Sequence, residues 1–348
     1  MSTHPAGLDS RAGRLTSFAV VVFVVVFGVG AFIRWVVVGW GGDDWWGIDL
    51  HLVLEAGGRL LAGRPIYADE RLLYPPLAAV VGAPLSRLPF DLVSVGYAIL
   101  KVAVAAVCVS SLASSVPRRV KVLAAVTVIA SLPFLHDVML GNASVMLVAA
   151  MVPAVFGSDR RRNGVLLGLA AAVFAKPLVL PILVWLLVWR RRALAGAVVA
   201  GLAATAAGVL VTGPQSYVDW ISALAGGARY ASGFAGNHGV TALFPDLWLP
   251  VAAVTGIGLV IVLVRRGPLV GLVWAVTSGL LLAPYAGAVA ALPIALAMPG
   301  LLRAAPALAL AIAAVSPIAT THPLPIYATL IMLVALRLAD PRVSDGSP

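Results

Sequence analysis

Only fourteen of the 348 residues are acidic, and six of these, Asp43, Asp44, Asp49, Glu55, Asp69 and Glu70, crowd into residues 42–76, GDDWWGIDLHLVLEAGGRLLAGRPIYADERLLYPP. Carboxylates at that density in so apolar a chain belong at a membrane surface or in a wet cavity. One of them, suitably placed, can take the proton of a hydroxyl that attacks an electrophilic carbon. Asp49, which opens an amphipathic segment, is the first candidate for such a base, and a helix N-cap is the structural alternative. Asp43 and Asp44 read as surface charges or as oxygen ligands for a divalent cation. Trp40, Trp45 and Trp46 read as an interfacial aromatic belt or as a stacking platform for a sugar ring.

Lys176 is the second candidate. It lies in AAAVFAKPLVLP, deep in an apolar segment, where an ionisable side chain is costly and usually faces a bundle interior or a hydrated cavity. Pro177 and Pro181 break the helix around it, and the ammonium suits an anionic leaving group. The alternative is a lysine snorkelling from a helix end. His322, in ATTHPLPIY, could bind a phosphate oxygen or donate a proton. His136-Asp137, in SLPFLHDVMLGN, forms a polar turn between apolar segments, and Arg229 and His238 stand in a glycine-rich interruption. The sequence contains no HExxH, P-loop, GxGxxG or metal-spaced Cys/His set, so nothing in it supports zinc chemistry or nucleotide-driven transport. No metal site is expected.

Composition determines the elements that must position these groups. The chain is 61% hydrophobic and 11% charged, against about 25% charged residues in a soluble domain. Uncharged runs such as residues 18–33, with their flanks, reach the roughly 20 residues of a bilayer-spanning helix. The runs do not alternate with polar residues, which excludes a barrel. The fold class expected is therefore an all-α polytopic integral membrane protein. The net charge of +10 is no nucleic-acid signature, because many of the basic residues sit between apolar runs: Arg118–Arg119–Lys121, Arg160–Arg161–Arg162, Arg190–Arg191–Arg192 and Arg265–Arg266. That is the pattern of cytoplasmic loops. Cys108, the single cysteine, rules out an intramolecular disulfide.

Residues 1–14 read as a cytoplasmic segment and 15–338 as the transmembrane domain, with residues 339–348 as a polar, disordered tail. The first span leads into an extracytoplasmic loop at 39–75. There Asp49–Leu61 predicts an interfacial amphipathic helix, with Leu50, Leu54 and Leu61 near one face and His51, Glu55 and Arg59 on another. Tyr74-Pro75-Pro76 opens the next helix. Further apolar segments, among them 91–113, 193–212, 249–264, 269–283 and 325–338, bring the count to eleven to thirteen spans. Residues 163–189 fit either one tilted helix or a hairpin. Residues 213–250 read as a second extracytoplasmic loop carrying Asp219, Arg229, Asn237, His238 and Asp246.

The run Asp49-Leu-His-Leu-Val, then Ala62-Gly-Arg-Pro-Ile-Tyr67, Leu73-Tyr-Pro-Pro-Leu77 and Pro84-Leu-x-x-Leu-Pro89, resembles the first-loop signature of GT-C glycosyltransferases. More narrowly, the chain is similar to family 87, the polyprenol-phosphate-mannose-dependent mannosyltransferases of actinobacteria. Gly164-x-x-x-Gly168-Leu-Ala-Ala-Ala-x-x-Ala-Lys176-Pro and the basic turn at Arg190–Arg192 extend the resemblance over about residues 15–195. Leu140-Gly141-Asn142 stands where the family tends to show Gly-Gln-x-Asn.

The resemblance implies a GT-C-like bundle in a bacterial plasma membrane that moves a hexose, mannose first, from a polyprenyl-phosphate donor to a glycolipid or glycan acceptor on the extracytoplasmic face. Asp49 matches the position of the base in an inverting transfer. Lys176, His322, Arg59 and Arg64 are the cationic candidates for the leaving phosphate, and His51, Tyr74, Asn142 and His238 are further substrate-binding candidates. No cofactor is implied beyond the donor substrate, and no nucleic-acid partner. Arabinofuranose as donor sugar, a lipid or glycan flippase, and a non-catalytic polyprenyl-binding subunit are the competing readings.

Overall fold

The computed structural model of the chain describes residues 46–69, 71–112, 128–233, 237–283, 286–304 and 324–338, with isolated helical positions at 18–20, 22–23, 25–26, 29–30, 33, 125, 309 and 311–313. Among the described residues every regular element is a helix. Three helices among the described residues are long and apolar enough to cross a bilayer unaided, over Phe90–Ser111, Arg191–Thr212 and Trp248–Arg265. Helices such as Ser144–Phe156 and Pro268–Leu282 are apolar but shorter.

Helix α1, Ile48–Leu61, starts after Gly47, whose φ of 67° is left-handed. A side chain there would also strike the Phe90 ring, so glycine is required on two counts. The helix buries Leu50, Leu52, Val53, Leu54, Ala56 and Gly57 and exposes His51 and Glu55. Leu61, expected on the face of Leu50 and Leu54, is 48% exposed. The partner helix α2, Pro76–Leu85, ends at Ser86 beside Gly58, so the last turn of α1 runs past it. Gly57 and Gly82 let the two backbones touch.

Helix α3, Phe90–Leu112, has 23 residues, about 34 Å at 1.5 Å per residue. Helix α4, Leu132–Leu140, closes on Gly141 at φ 65°, and α5 follows as Ser144–Phe156. Then come α6 (Arg161–Phe174), α7 (Val179–Trp189) and α8 (Arg191–Thr212). A Cβ on Gly164 would meet the carbonyl of Ala193, and one on Gly168 that of Ala197. Helices α6 and α8 are therefore parallel and in backbone contact. Asp159 Oδ1 accepts the N–H groups of Arg192 and Ala193 at 2.9 and 3.0 Å, which sets both helix starts at one level. The intervening α7 must run back toward that level. Residues 163–189 are thus a hairpin, and Lys176 is at its tip. Its arms of 14 and 11 residues are about 21 and 17 Å long, short of a ~30 Å hydrocarbon core.

After α8 come α9 (Pro214–Gly233), α10 (Val240–Leu243), a 3-10 turn at Pro245–Leu247, α11 (Trp248–Arg265), α12 (Pro268–Leu282), a 3-10 turn at Ala288–Ala291, α13 (Ile294–Ala304) and α14 (Leu324–Leu338). The stretch expected as a second loop thus contains a 20-residue helix, α9. Trp185, near the open end of the hairpin, donates through Nε1 to the Pro268 carbonyl at 2.9 Å. Gly279, farther along α12, meets Leu178 near the tip. The turns bearing Arg160–Arg162, Arg190–Arg192 and Arg265–Arg266 therefore gather at one end of these helices, and Lys176 lies at the other.

The main apolar core joins α5, α7, α12 and α14 through Leu147, Ile182, Leu186, Val276 and Leu324. Apolar side chains also point outward along α8 and α11, with Leu210 88% exposed, as expected of helices facing lipid.

Candidate active site

The site forms where α1, the α4–α5 turn and the hairpin tip converge. The start of α1 is pressed onto the α4–α5 turn. Gly47 N–H donates to the Met139 carbonyl at 2.7 Å, and any Cβ on Gly141 would collide with Leu50. This contact brings Asp49, one residue inside α1, over Asn142. No side-chain cap closes the helix, so Asp49 is not its N-cap.

Asn142 Nδ2 donates to Asp49 Oδ2 at 2.5 Å. The Asn142 Oδ1 atom accepts from Lys176 Nζ at 2.6 Å, from the Ser144 hydroxyl at 2.8 Å and from the Ser144 N–H at 3.0 Å. Lys176 Nζ also donates to Ser144 Oγ at 2.9 Å. It lies 5.8 Å from the centroid of the buried Tyr74 ring. Lys176 is delivered by the break between α6 and α7. There Ala175 turns to ψ 127°, and the following proline cannot continue the helix.

A carboxylate and an ammonium, both half-buried, are thus joined through one amide. Burial holds the Asp49 pKa above the ordinary carboxylate value of 3.8, against the opposing pull of the Lys176 charge, the Asn142 hydrogen bond and the more distant Lys101 charge. Such a carboxylate is a stronger base than an exposed one. The ammonium keeps one N–H beyond its two hydrogen bonds.

Below this layer lies a second pair that sequence reasoning missed. Lys101, from the middle of α3, and Asp137, from α4, meet at 2.9 Å with both side chains 0% exposed. The only signal for Lys101 was a single charge inside a long apolar run. Its partner, Asp137, stands out in the sequence only as part of a polar turn.

The remaining candidates scatter. Arg59 pairs with Glu55 on the outer face of α1 at 2.5 Å, and Arg64 is exposed. His51 is exposed and sets its ring edge-on to Phe90, centroids 5.4 Å apart. Tyr74 is held by its backbone, its carbonyl accepting the Tyr67 hydroxyl at 2.7 Å. The neighbouring Leu73 carbonyl accepts Trp220 Nε1 from α9 at 3.0 Å, which ties the two outer segments together. His238 belongs to another corner. Its N–H donates to Ala286 and its carbonyl accepts from Leu324, and its side chain is an electrostatic neighbour of His136. His322, Asp43, Asp44, Trp40 and Trp45 lie outside the described residues. Among the described residues no three His, Cys, Asp or Glu side chains group as a metal site.

In comparison with known proteins, the family model of glycosyltransferase family 87 matches residues 72–321, well over half of the chain. Searches of curated proteins and of solved structures returned no match.

Proposed function

The chain belongs to glycosyltransferase family 87, and on that premise we propose that it transfers a hexose, mannose first among the candidates, from a polyprenyl-phosphate donor to a glycolipid or glycan hydroxyl. The transfer takes place on the extracytoplasmic face of a bacterial plasma membrane. The acceptor oxygen attacks the anomeric carbon from the face opposite the phosphate. The C1–O bond to phosphate breaks with its electron pair going to the phosphate oxygen, and the acceptor proton passes to Asp49. The configuration inverts, and polyprenyl phosphate leaves against the Lys176 ammonium.

The observation that carries this reading is the Asp49–Asn142–Lys176 arrangement, with base and cation half-buried and one amide apart. The amide turns Asp49 so that Oδ2 is engaged and Oδ1 is left for a hydroxyl. A positioned base contributes about 10²–10⁴-fold, and a preorganised cation or donor about 10²–10³-fold. The location also supports it, since the arginine-rich turns at Arg160–Arg162 and Arg190–Arg192 lie at the end of the hairpin opposite Lys176, with Arg265–Arg266 of the adjoining helices beside them, and basic turns favour the cytoplasm. Arg59, bound to Glu55 on the outer face, stands outside this machinery.

The test is transfer from labelled polyprenyl-phosphate mannose to a native lipid extract, in membranes with wild-type protein or Asp49→Asn. Asparagine keeps the size but cannot take the proton, so a loss of a hundredfold or more at equal expression is expected. Equal rates in the two membranes would remove Asp49 as the base. A wild type silent with mannose and active with arabinofuranose would change the sugar and leave the chemistry. Silence with every donor would sink the enzymatic reading.

A further inference from the structure

The Lys101–Asp137 pair touches neither the base nor the proposed phosphate site, yet it is the most completely buried charge pair among the described residues. Isolated ion pairs of this kind rarely repay their desolvation in stability, and in a membrane-crossing helix a lysine is costly. The reason to keep one must lie in what it holds.

Asp137 is the hub of the turn that bears Asn142. Its Oδ1 faces Lys101 Nζ. Its Oδ2 accepts the N–H groups of Ser144 and Val145 at 2.9 and 3.3 Å, tying down the first turn of α5. Its main-chain carbonyl accepts both Lys101 Nζ at 2.7 Å and the Asn142 N–H at 3.0 Å. Lys101 is fixed in turn by the Tyr97 ring, 4.4 Å away, and the Tyr97 hydroxyl donates to the Asn142 carbonyl at 3.3 Å. Residues 137–145 are therefore clamped to α3 at Asp137 and at Asn142, and the one side chain of that turn bonded to both Asp49 and Lys176 is Asn142.

We infer that Lys101 and Asp137 are positioning residues, a buried electrostatic clamp that aims the Asn142 amide between the base and the cation. The clamp acts on Asp49 through Asn142, and it rests on the reading of Asp49 as the base. It makes α3 the reference frame for the α4–α5 turn.

The test compares the double variant Lys101→Met/Asp137→Asn with Asn142→Ala. The double variant removes one charge of each sign, leaves no buried ion, and keeps an acceptor for the Ser144 N–H. Turnover is expected to fall about a hundredfold, the cost of an ångström-scale misplacement, while the KM values for donor and acceptor stay within about threefold.

A readout independent of turnover is the pH dependence of Asp49 modification by a hydrophobic carbodiimide, which reacts with protonated carboxyls, followed by peptide mass. The groups facing Asp49 are Lys176, Lys101, Tyr74 and Tyr97. With the Asn142 donor no longer aimed, the modification midpoint should move to higher pH. Asn142→Ala, which leaves the buried pair intact, should shift the midpoint in the same direction with the same loss of turnover. Adding the double variant to it should leave turnover little changed and move the midpoint further only by the direct effect of the Lys101 charge on Asp49.

Wild-type turnover and an unmoved midpoint in either variant would overturn the clamp. If the double variant fails to fold, wild-type turnover and an unmoved midpoint in Asn142→Ala still overturn the clamp, because the proposed route runs through Asn142. A wild type inactive on every donor condemns the transferase reading, and the midpoints still judge the clamp.

Discussion

Two lysine–carboxylate pairs share one network and are built in opposite ways. Lys101 and Asp137 touch directly and are sealed from solvent. Asp49 and Lys176 are kept apart by the Asn142 amide, which donates to one and accepts from the other, and both remain half-buried. Contact neutralises a charge and thereby takes it out of use. Separation by a neutral group that bonds to both leaves each with capacity to spare: Asp49 Oδ1 on one side, a Lys176 N–H on the other. The local charge still balances, so the open pair tolerates its partial burial. The sealed pair fixes geometry, and the open pair is available for chemistry.

The largest way to break this comparison is to remove the cation from the open pair. Lys176→Met should lower kcat by about 10²–10³-fold in the labelled-donor assay. It should also move the acid limb of kcat/KM for the acceptor to higher pH, because burial of Asp49 is then opposed by less positive charge. A rate loss with an unmoved limb would show that Lys176 serves the phosphate without influencing the base.

The wild-type acid limb is the next test. The Asp49 pKa is raised by burial, so activity should fall with decreasing pH at a midpoint above 3.8, and a limb at or below that value would mean that the lysine charges and the Asn142 bond outweigh burial. The sign for folding is opposite to that of a salt-bridged aspartate. Between its unfolded value and its raised folded value, the unfolded chain has released a proton that the folded chain retains. Stability conferred by this group is therefore highest at low pH and declines as pH rises through that window, then levels off. Asp49→Asn should flatten that slope in a pH series of thermal unfolding while abolishing transfer.

A third variant separates the site from its support. A side chain at Gly164 must displace the Ala193 carbonyl, so Gly164→Leu should cost about 1–3 kcal/mol of stability through overpacking and spread α6 from α8. The Lys176 tip is carried by that hairpin, so transfer should drop along with the unfolding temperature. Lower stability with full turnover per folded molecule would show that the tip is held from the site side, by Asn142 and Ser144, and not by the glycine contact.

Much of this was legible in the residues. Segments such as 91–113, 193–212 and 249–264 stand out because lipid permits long apolar runs, and the helices of α3, α8 and α11 follow them closely. Asp49 and Lys176 stand out because charge is rare around them. The partners of those charges were not legible, for physical reasons. Lys101 and Asp137 are 36 positions apart, and nothing local in FDLVSVGYAILKVAVAAVCVSSL says that its lysine is buried and not snorkelling. Asn142 reads as one polar residue in a turn, since its role depends on two chains of contact that only the fold closes. The choice between one helix and a hairpin at 163–189 needed the glycine contacts to α8, and hydropathy is blind to contacts. The α9 helix was obscured by its glycines, which lower helix propensity without forbidding a helix anchored by Tyr217 and Trp220.

The smallest effect is the most discriminating about where the site ends. Arg59 was a candidate for the leaving phosphate on charge and position alone, and the structure gives it to Glu55, four residues earlier on the outer face of α1. An exposed pair of this spacing is worth about 0.3–0.5 kcal/mol, so Arg59→Gln should shift stability by no more than that and leave kcat and the donor KM within twofold. The amphipathic logic of α1 requires this, because Asp49 lies on the side turned toward Asn142 while Glu55 is solvated. A tenfold rise in donor KM for Arg59→Gln would mean that the phosphate approaches along the outer face of α1, and that Lys176 is not its sole cation. The open pair would then be half of a larger site, and the contrast with Lys101 and Asp137 would have to be redrawn around three charges.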